Sequence, residues 1–106
     1  MLQNKLYEIF WTDLANLTYE KELDFIFKKW NRKEVMNFMD LVDDFVKKIE
    51  SGFILGKISK RKNIRSFVIS KQTTIFFQVH EDKMEIELLL FWNNKMNPKK
   101  LPKYFK

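Results

Sequence analysis

Any chemistry in this chain has to be done with one histidine, 20 lysines and arginines, 14 carboxylates and no cysteine. Without cysteine there is no disulfide framework, thiolate zinc site or sulfur nucleophile. A single imidazole, His80, excludes a multi-histidine metal centre. Asp40 and Asp44 stand at helical spacing with Asp43 beside them, but with no third clustered ligand they read as a solvated helix face. Gly-rich phosphate loops, nucleophile elbows and HExxH patterns are absent. No metal and no cofactor is therefore expected. What remains is cationic and imidazole chemistry. Arg65 lies inside the strand-like run Asn63-Ile64-Arg65-Ser66-Phe67. Its guanidinium can offer a two-pronged fork to a phosphate, or can serve structurally, paired with Glu85 or Glu87 across a sheet. His80, between Val79 and Glu81, is either a surface turn residue or a proton-transfer group.

The charge is segregated. The formal net charge is +6. Lys57, Lys60, Arg61, Lys62, Arg65 and Lys71 form one stretch without an acid, and Lys95, Lys99, Lys100, Lys103 and Lys106 form another. The remainder of the chain is mildly acidic. Two such blocks build a local positive field that suits a polyanion or an acidic protein segment. Trp11, Trp30 and Trp92 read as core or core-edge residues, and Trp92 also has the option of stacking on a base.

These groups must be positioned by a small scaffold. The 106 residues, 45% hydrophobic with 11 Phe, fit one domain spanning 1–106 with ample core material. No apolar run approaches the ~20 residues that cross a bilayer. The opening Met1-Leu2-Gln3-Asn4-Lys5 lacks the apolar stretch of a signal peptide, so a soluble, cytoplasmic domain is expected. Leu6 to Trp11 reads as a first strand, with Thr12 as the cap of a helix running to about Trp30. Leu14, Leu17, Leu23, Ile26, Phe27 and Trp30 supply that helix with an apolar stripe. Asn31 caps a second helix, with Glu34 placed to reach back as in a capping box. Val35, Phe38, Met39, Val42, Phe45, Val46 and Ile49 line its apolar face, and Gly52 suits the position just past its end. The two helices form an antiparallel hairpin. After Gly56 the period becomes two, and Ile64–Ser70, Thr73–Val79 and Met84–Phe91 read as strands. The order β-α-α-β-β-β makes an α+β domain, with a helical hairpin on one face of a mainly antiparallel sheet. The other face is left open, and the two basic blocks are expected to converge there or at one edge.

Tyr7-Glu8-Ile9-Phe10-Trp11-Thr12-Asp13-Leu14-Ala15, Asn63-Ile64-Arg65-Ser66-Phe67-Val68-Ile69, the Phe76–Leu89 hairpin and Phe91-Trp92-Asn93-Asn94-Lys95-Met96-Asn97-Pro98-Lys99-Lys100-Leu101 together resemble the RelE/ParE superfamily of toxins from bacterial type II toxin–antitoxin modules. The resemblance implies one of two activities. RelE-like members cut mRNA on the ribosome by promoting attack of a 2′-hydroxyl on the adjacent phosphate. ParE-like members bind and inhibit DNA gyrase. For the nuclease, the implied catalytic set is Arg65, Lys95, Tyr104 and His80. Lys57, Lys60, Arg61, Lys62, Lys99 and Lys100 would hold nucleic-acid backbone. No His or Tyr stands directly after the last strand, where the better nucleases carry one. A non-toxic, basic nucleic-acid-binding module is the third reading. Under the first two, the partner is a cognate antitoxin in a hetero-oligomer.

Overall fold

The computed structural model describes residues 5–54, 56–59, 63–102 and 105. Its elements are β1 (Glu8–Trp11), α1 (Asp13–Lys29), α2 (Arg32–Glu50), β2 (Lys57–Ile58), β3 (Ile64–Ser70), β4 (Thr73–His80), β5 (Glu85–Asn93) and a 3-10 turn, Pro98–Lys100. The strands form one sheet in the order β1-β5-β4-β3-β2, antiparallel throughout except for the parallel β1–β5 pair. The helical hairpin covers one face, as the sequence leads one to expect. The two-residue edge strand β2 is an addition.

The local signals explain the elements. Thr12 accepts from the Ala15 N–H at 3.0 Å, and its hydroxyl sits against the Leu88 and Leu89 carbonyls at 3.1 and 3.2 Å. One side chain thus starts α1 and pins it to β5. Asn31 caps α2 by accepting from the Glu34 N–H at 2.9 Å. The reciprocal half of the capping box does not form, because the Glu34 carboxylate accepts from Asn37 instead. Past α2, Gly52 has φ +92°. Its N–H donates to the Ile49 carbonyl and that of Phe53 to the Lys48 carbonyl. This closure needs a left-handed residue, which is why a glycine stands there. Gly56 at φ +102° is required twice over, because an added Cβ would meet the Ser66 carbonyl oxygen at 2.7 Å.

Between helices and sheet lies the main core, with Ala15, Ile26, Phe38, Phe45, Ile49, Ile75, Phe77, Ile86 and Leu88 buried. Phe45 stacks on Phe67 at 5.0 Å and meets Phe77 edge-on at 5.3 Å. Burial of each such side chain contributes about 1.5–3 kcal/mol. Helix α1 presents a different stripe from the expected one. Ala15, Glu22 and Ile26 are buried, whereas Leu14, Leu17, Phe27 and Trp30 are exposed, as is Met39 on α2.

Nor is the second sheet face open. Ile64, Phe76 and Leu90 form a smaller buried cluster there with Phe105, whose ring lies 5.1 Å from that of Phe76. Leu101, Leu89 and Trp92 pack against it, so Trp92 serves as the core-edge residue. Beyond the 3-10 turn, Leu101 and Phe105 lie over this face and cover apolar side chains that would otherwise meet water. No helix among the described residues is long and apolar enough to cross a membrane.

Candidate functional site

Alternation along β3 places Arg65, Phe67 and Ile69 on the helix side. Arg65 pairs in register with Ile58 on one side and Phe77 on the other, and is partly buried. It is in no ion pair with Glu85, Glu87 or any other carboxylate among the described residues. His80 is the last residue of β4 rather than a turn residue, and lies on the opposite face. Its Nε2 is 2.8 Å from Glu87 Oε1 on β5. From opposite faces, Arg65 and His80 both line a cavity of about 400 Å³ at this end of the sheet, together with Asn63, Gln78, Glu81 and Asp82. The rim carries acids as well as Arg65, so its field is mixed. Asn63 holds φ +55° where the chain turns into β3, which aims the strand start at this cavity.

Lys95 stands elsewhere. It follows β5 at the far end, beside the β3–β4 turn, and its N–H donates to Asn93 Oδ1 at 2.9 Å. The register puts Glu87 opposite Gln78 and Asn93 opposite Thr73. Six residues of β5 thus separate the two ends, a span of about 20 Å at strand rise. Among the described cations of the two basic blocks, Lys57 and Arg65 lie at one end of the sheet, while Lys95, Lys99 and Lys100 come after the strand that leaves it at the other. Lys71, counted with the first block, belongs with the second, since Asn94 donates to its carbonyl at 3.2 Å. Lys60, Arg61, Lys62 and Tyr104 lie outside the described residues.

A polar network absent from the sequence reading holds the far end in place. Glu22, only 5% exposed, accepts from Thr73 Oγ1 at 2.5 Å and from Asn93 Nδ2 at 3.1 Å. It thereby ties α1 to β4 and β5, and through Asn93 fixes the backbone of Lys95. A polar residue at the i+7 position from Ala15 and four before Ile26 was the available signal. Burial raises the Glu22 carboxyl above the usual glutamate value, and the two hydrogen bonds only partly offset this. The folded state therefore holds this proton more tightly than the unfolded chain. The group's contribution to stability is fully present below the ordinary glutamate pKa and is lost as pH rises through the raised one. Glu22→Gln removes that slope. In urea unfolding series at acidic and neutral pH, the variant's midpoint should improve relative to the native chain as pH rises. A native-to-variant difference independent of pH would contradict the burial account.

A helical hairpin laid on one face of a five-stranded sheet, with its first strand parallel to its last, defines an α+β fold of the RelE/ParE type. Among solved structures the chain is similar to one described as "Chromosomal ParDE TA system from P. aeruginosa", with a TM-score of 0.67 and 15% sequence identity, over 83% of this chain and 96% of that one. No family model and no curated protein matches the sequence.

Proposed function

We propose that the chain is the toxin of a type II toxin–antitoxin module and that it cleaves mRNA on the ribosome without a metal. The RelE/ParE-like fold supports the toxin reading. The nuclease reading rests on one observation, the cavity that Arg65 and His80 share, with His80 held by Glu87. With Nε2–H donated to Glu87, His80 Nδ1 is the nitrogen free to take a proton. It removes the 2′-hydroxyl proton as that oxygen attacks the neighbouring phosphorus. The bond from phosphorus to the 5′-oxygen breaks, that oxygen takes up a proton, and a 2′,3′-cyclic phosphate and a 5′-hydroxyl remain. Arg65 stabilises the added charge on the phosphoryl oxygens. Lys57, Lys60, Arg61 and Lys62 precede Arg65 in the chain and supply backbone contacts. Lys95, about 20 Å away along β5, holds a different phosphate. Action on the ribosome places the protein in the cytoplasm.

One observation favours the second reading, inhibition of DNA gyrase without catalysis. The separation of Arg65 from Lys95 denies a single phosphate both cations. Inducing the chain in cells and inspecting RNA and plasmid DNA separates the two. Rapid mRNA cleavage within codons is expected. Intact mRNA with DNA breaks and lost supercoiling would establish the gyrase reading.

A further inference from the structure

The far end of the sheet carries a second cavity, of about 390 Å³, between the end of α1, the middle of α2 and the β3–β4 turn. Its floor is apolar, from Ile26 and Phe38. Trp30, 45% exposed, forms one wall. Its polar lining is Glu34 and Asn37 from α2 and Ser70, Lys71 and Gln72 from the turn. Ser70 Oγ is buried with no hydrogen-bond partner among the described residues.

Cations gather at the same rim. Lys29 Nζ lies 4.9 Å from the centre of the Trp30 ring, and Lys71 lines the cavity itself. The Lys29 ammonium is held below the usual lysine range, first by a hydrogen bond with Lys95, then by desolvation and by the charge of Lys95. Neighbouring like charges repel each other, and an anion between them relieves that repulsion. Lys28 is engaged with Asp24 at 3.0 Å. Lys29, Lys71 and Lys95 are in no ion pair among the described residues.

We propose that this cavity binds one nucleotide of a single-stranded nucleic acid, its base against Trp30 and its phosphate held by Lys29, Lys71 and Lys95. The indole supplies the stacking surface. Glu34 can accept from the two N–H groups on the Watson–Crick edge of guanine, while an amide of Asn37 or Gln72 donates to its O6. The bond from Asn37 to Glu34, at 3.4 Å, is long enough to yield to such a ligand. Guanine is therefore the favoured base. A nucleotide carries the stacking face, the donor edge and the phosphate within one unit, which an acidic protein segment matches only with several residues. The site is separate from the Arg65 cavity and does not depend on cleavage there.

The test is fluorescence anisotropy of the full chain with labelled octamers, as RNA and as DNA, carrying one guanine or one abasic position in a uniform pyrimidine run. The guanine octamer should bind about tenfold or more tightly than the abasic one of equal charge. Trp30→Ala, Asn37→Ala and a Lys29→Ala/Lys71→Ala pair should each weaken it by about tenfold, and Trp30→Phe should restore most of the loss. Asn37 is exposed, so its variant keeps the fold. Arg65→Ala should leave the ratio of guanine to abasic affinity unchanged, because a phosphate contact carries no base preference, and this distinguishes failure here from failure of the nuclease reading. Preference for the RNA or the DNA octamer assigns the source. Equal binding of guanine and abasic octamers, or displacement by polyglutamate as readily as by unlabelled octamer, would overturn the proposal.

Discussion

Arg65→Ala should keep its fold and lose mRNA cleavage by about 10²-fold or more. The side chain is half-buried at the end of β3 and in no ion pair among the described residues, so truncation orphans no buried carboxylate. In the proposed mechanism it removes charge stabilisation at the phosphoryl oxygens, which costs a few kcal/mol of transition-state binding. Arg65→Lys should recover only part of the activity, because an ammonium cannot make the parallel pair of bonds. His80→Gln should lower the rate by a comparable factor of about 10². Glu87→Gln should cost less, since Glu87 only orients the ring. Single-turnover cleavage by each variant, with far-UV circular dichroism for the fold, checks the series. A folded Arg65→Ala protein with full activity would make the residue structural and favour the gyrase reading.

The second large effect concerns the partner. The toxin reading implies an antitoxin, and the described cations of the two basic blocks stand towards both ends of the sheet. Lys57 and Arg65 mark one end of the sheet; Lys71, Lys95, Lys99 and Lys100 mark the other. An acidic, extended segment running between them would be drawn in by both fields. Association with the product of the neighbouring gene should therefore slow by about 10- to 10³-fold between low and high salt, while dissociation changes little. Stopped-flow mixing over a salt series measures this, and Lys99→Glu/Lys100→Glu should reproduce the slowing at low salt. Association indifferent to salt would remove the basic blocks as the docking surface.

The fold was largely legible because its signals are local. Thr12, Asn31 and Gly52 act within one turn of themselves, and the period change after Gly56 marks the strands. What depended on long-range packing was not legible. Phe27 and Trp30 fit the helical period of α1 as well as Ile26 does. The rotation of the helix is fixed instead by Thr18, whose hydroxyl accepts from the Phe91 N–H at 2.9 Å, and by Glu22 bonded to Thr73 and Asn93. The open face was misread because nothing local reveals that Phe105 will fold back onto Phe76. Of the site, Arg65 could be placed on its strand face from alternation alone. Its distance from Lys95 could not, because the hairpin register that puts Arg65 and Lys95 at opposite ends of the sheet is a long-range feature.

The central claim is that Arg65 and His80 cut RNA, and cleavage of a defined mRNA on purified, programmed ribosomes tests it most directly. Cuts that need the ribosome, leave 2′,3′-cyclic phosphate and 5′-hydroxyl ends, and disappear in Arg65→Ala are the expected result. Intact mRNA at stoichiometric protein, with gyrase supercoiling inhibited by the same preparation, would contradict it.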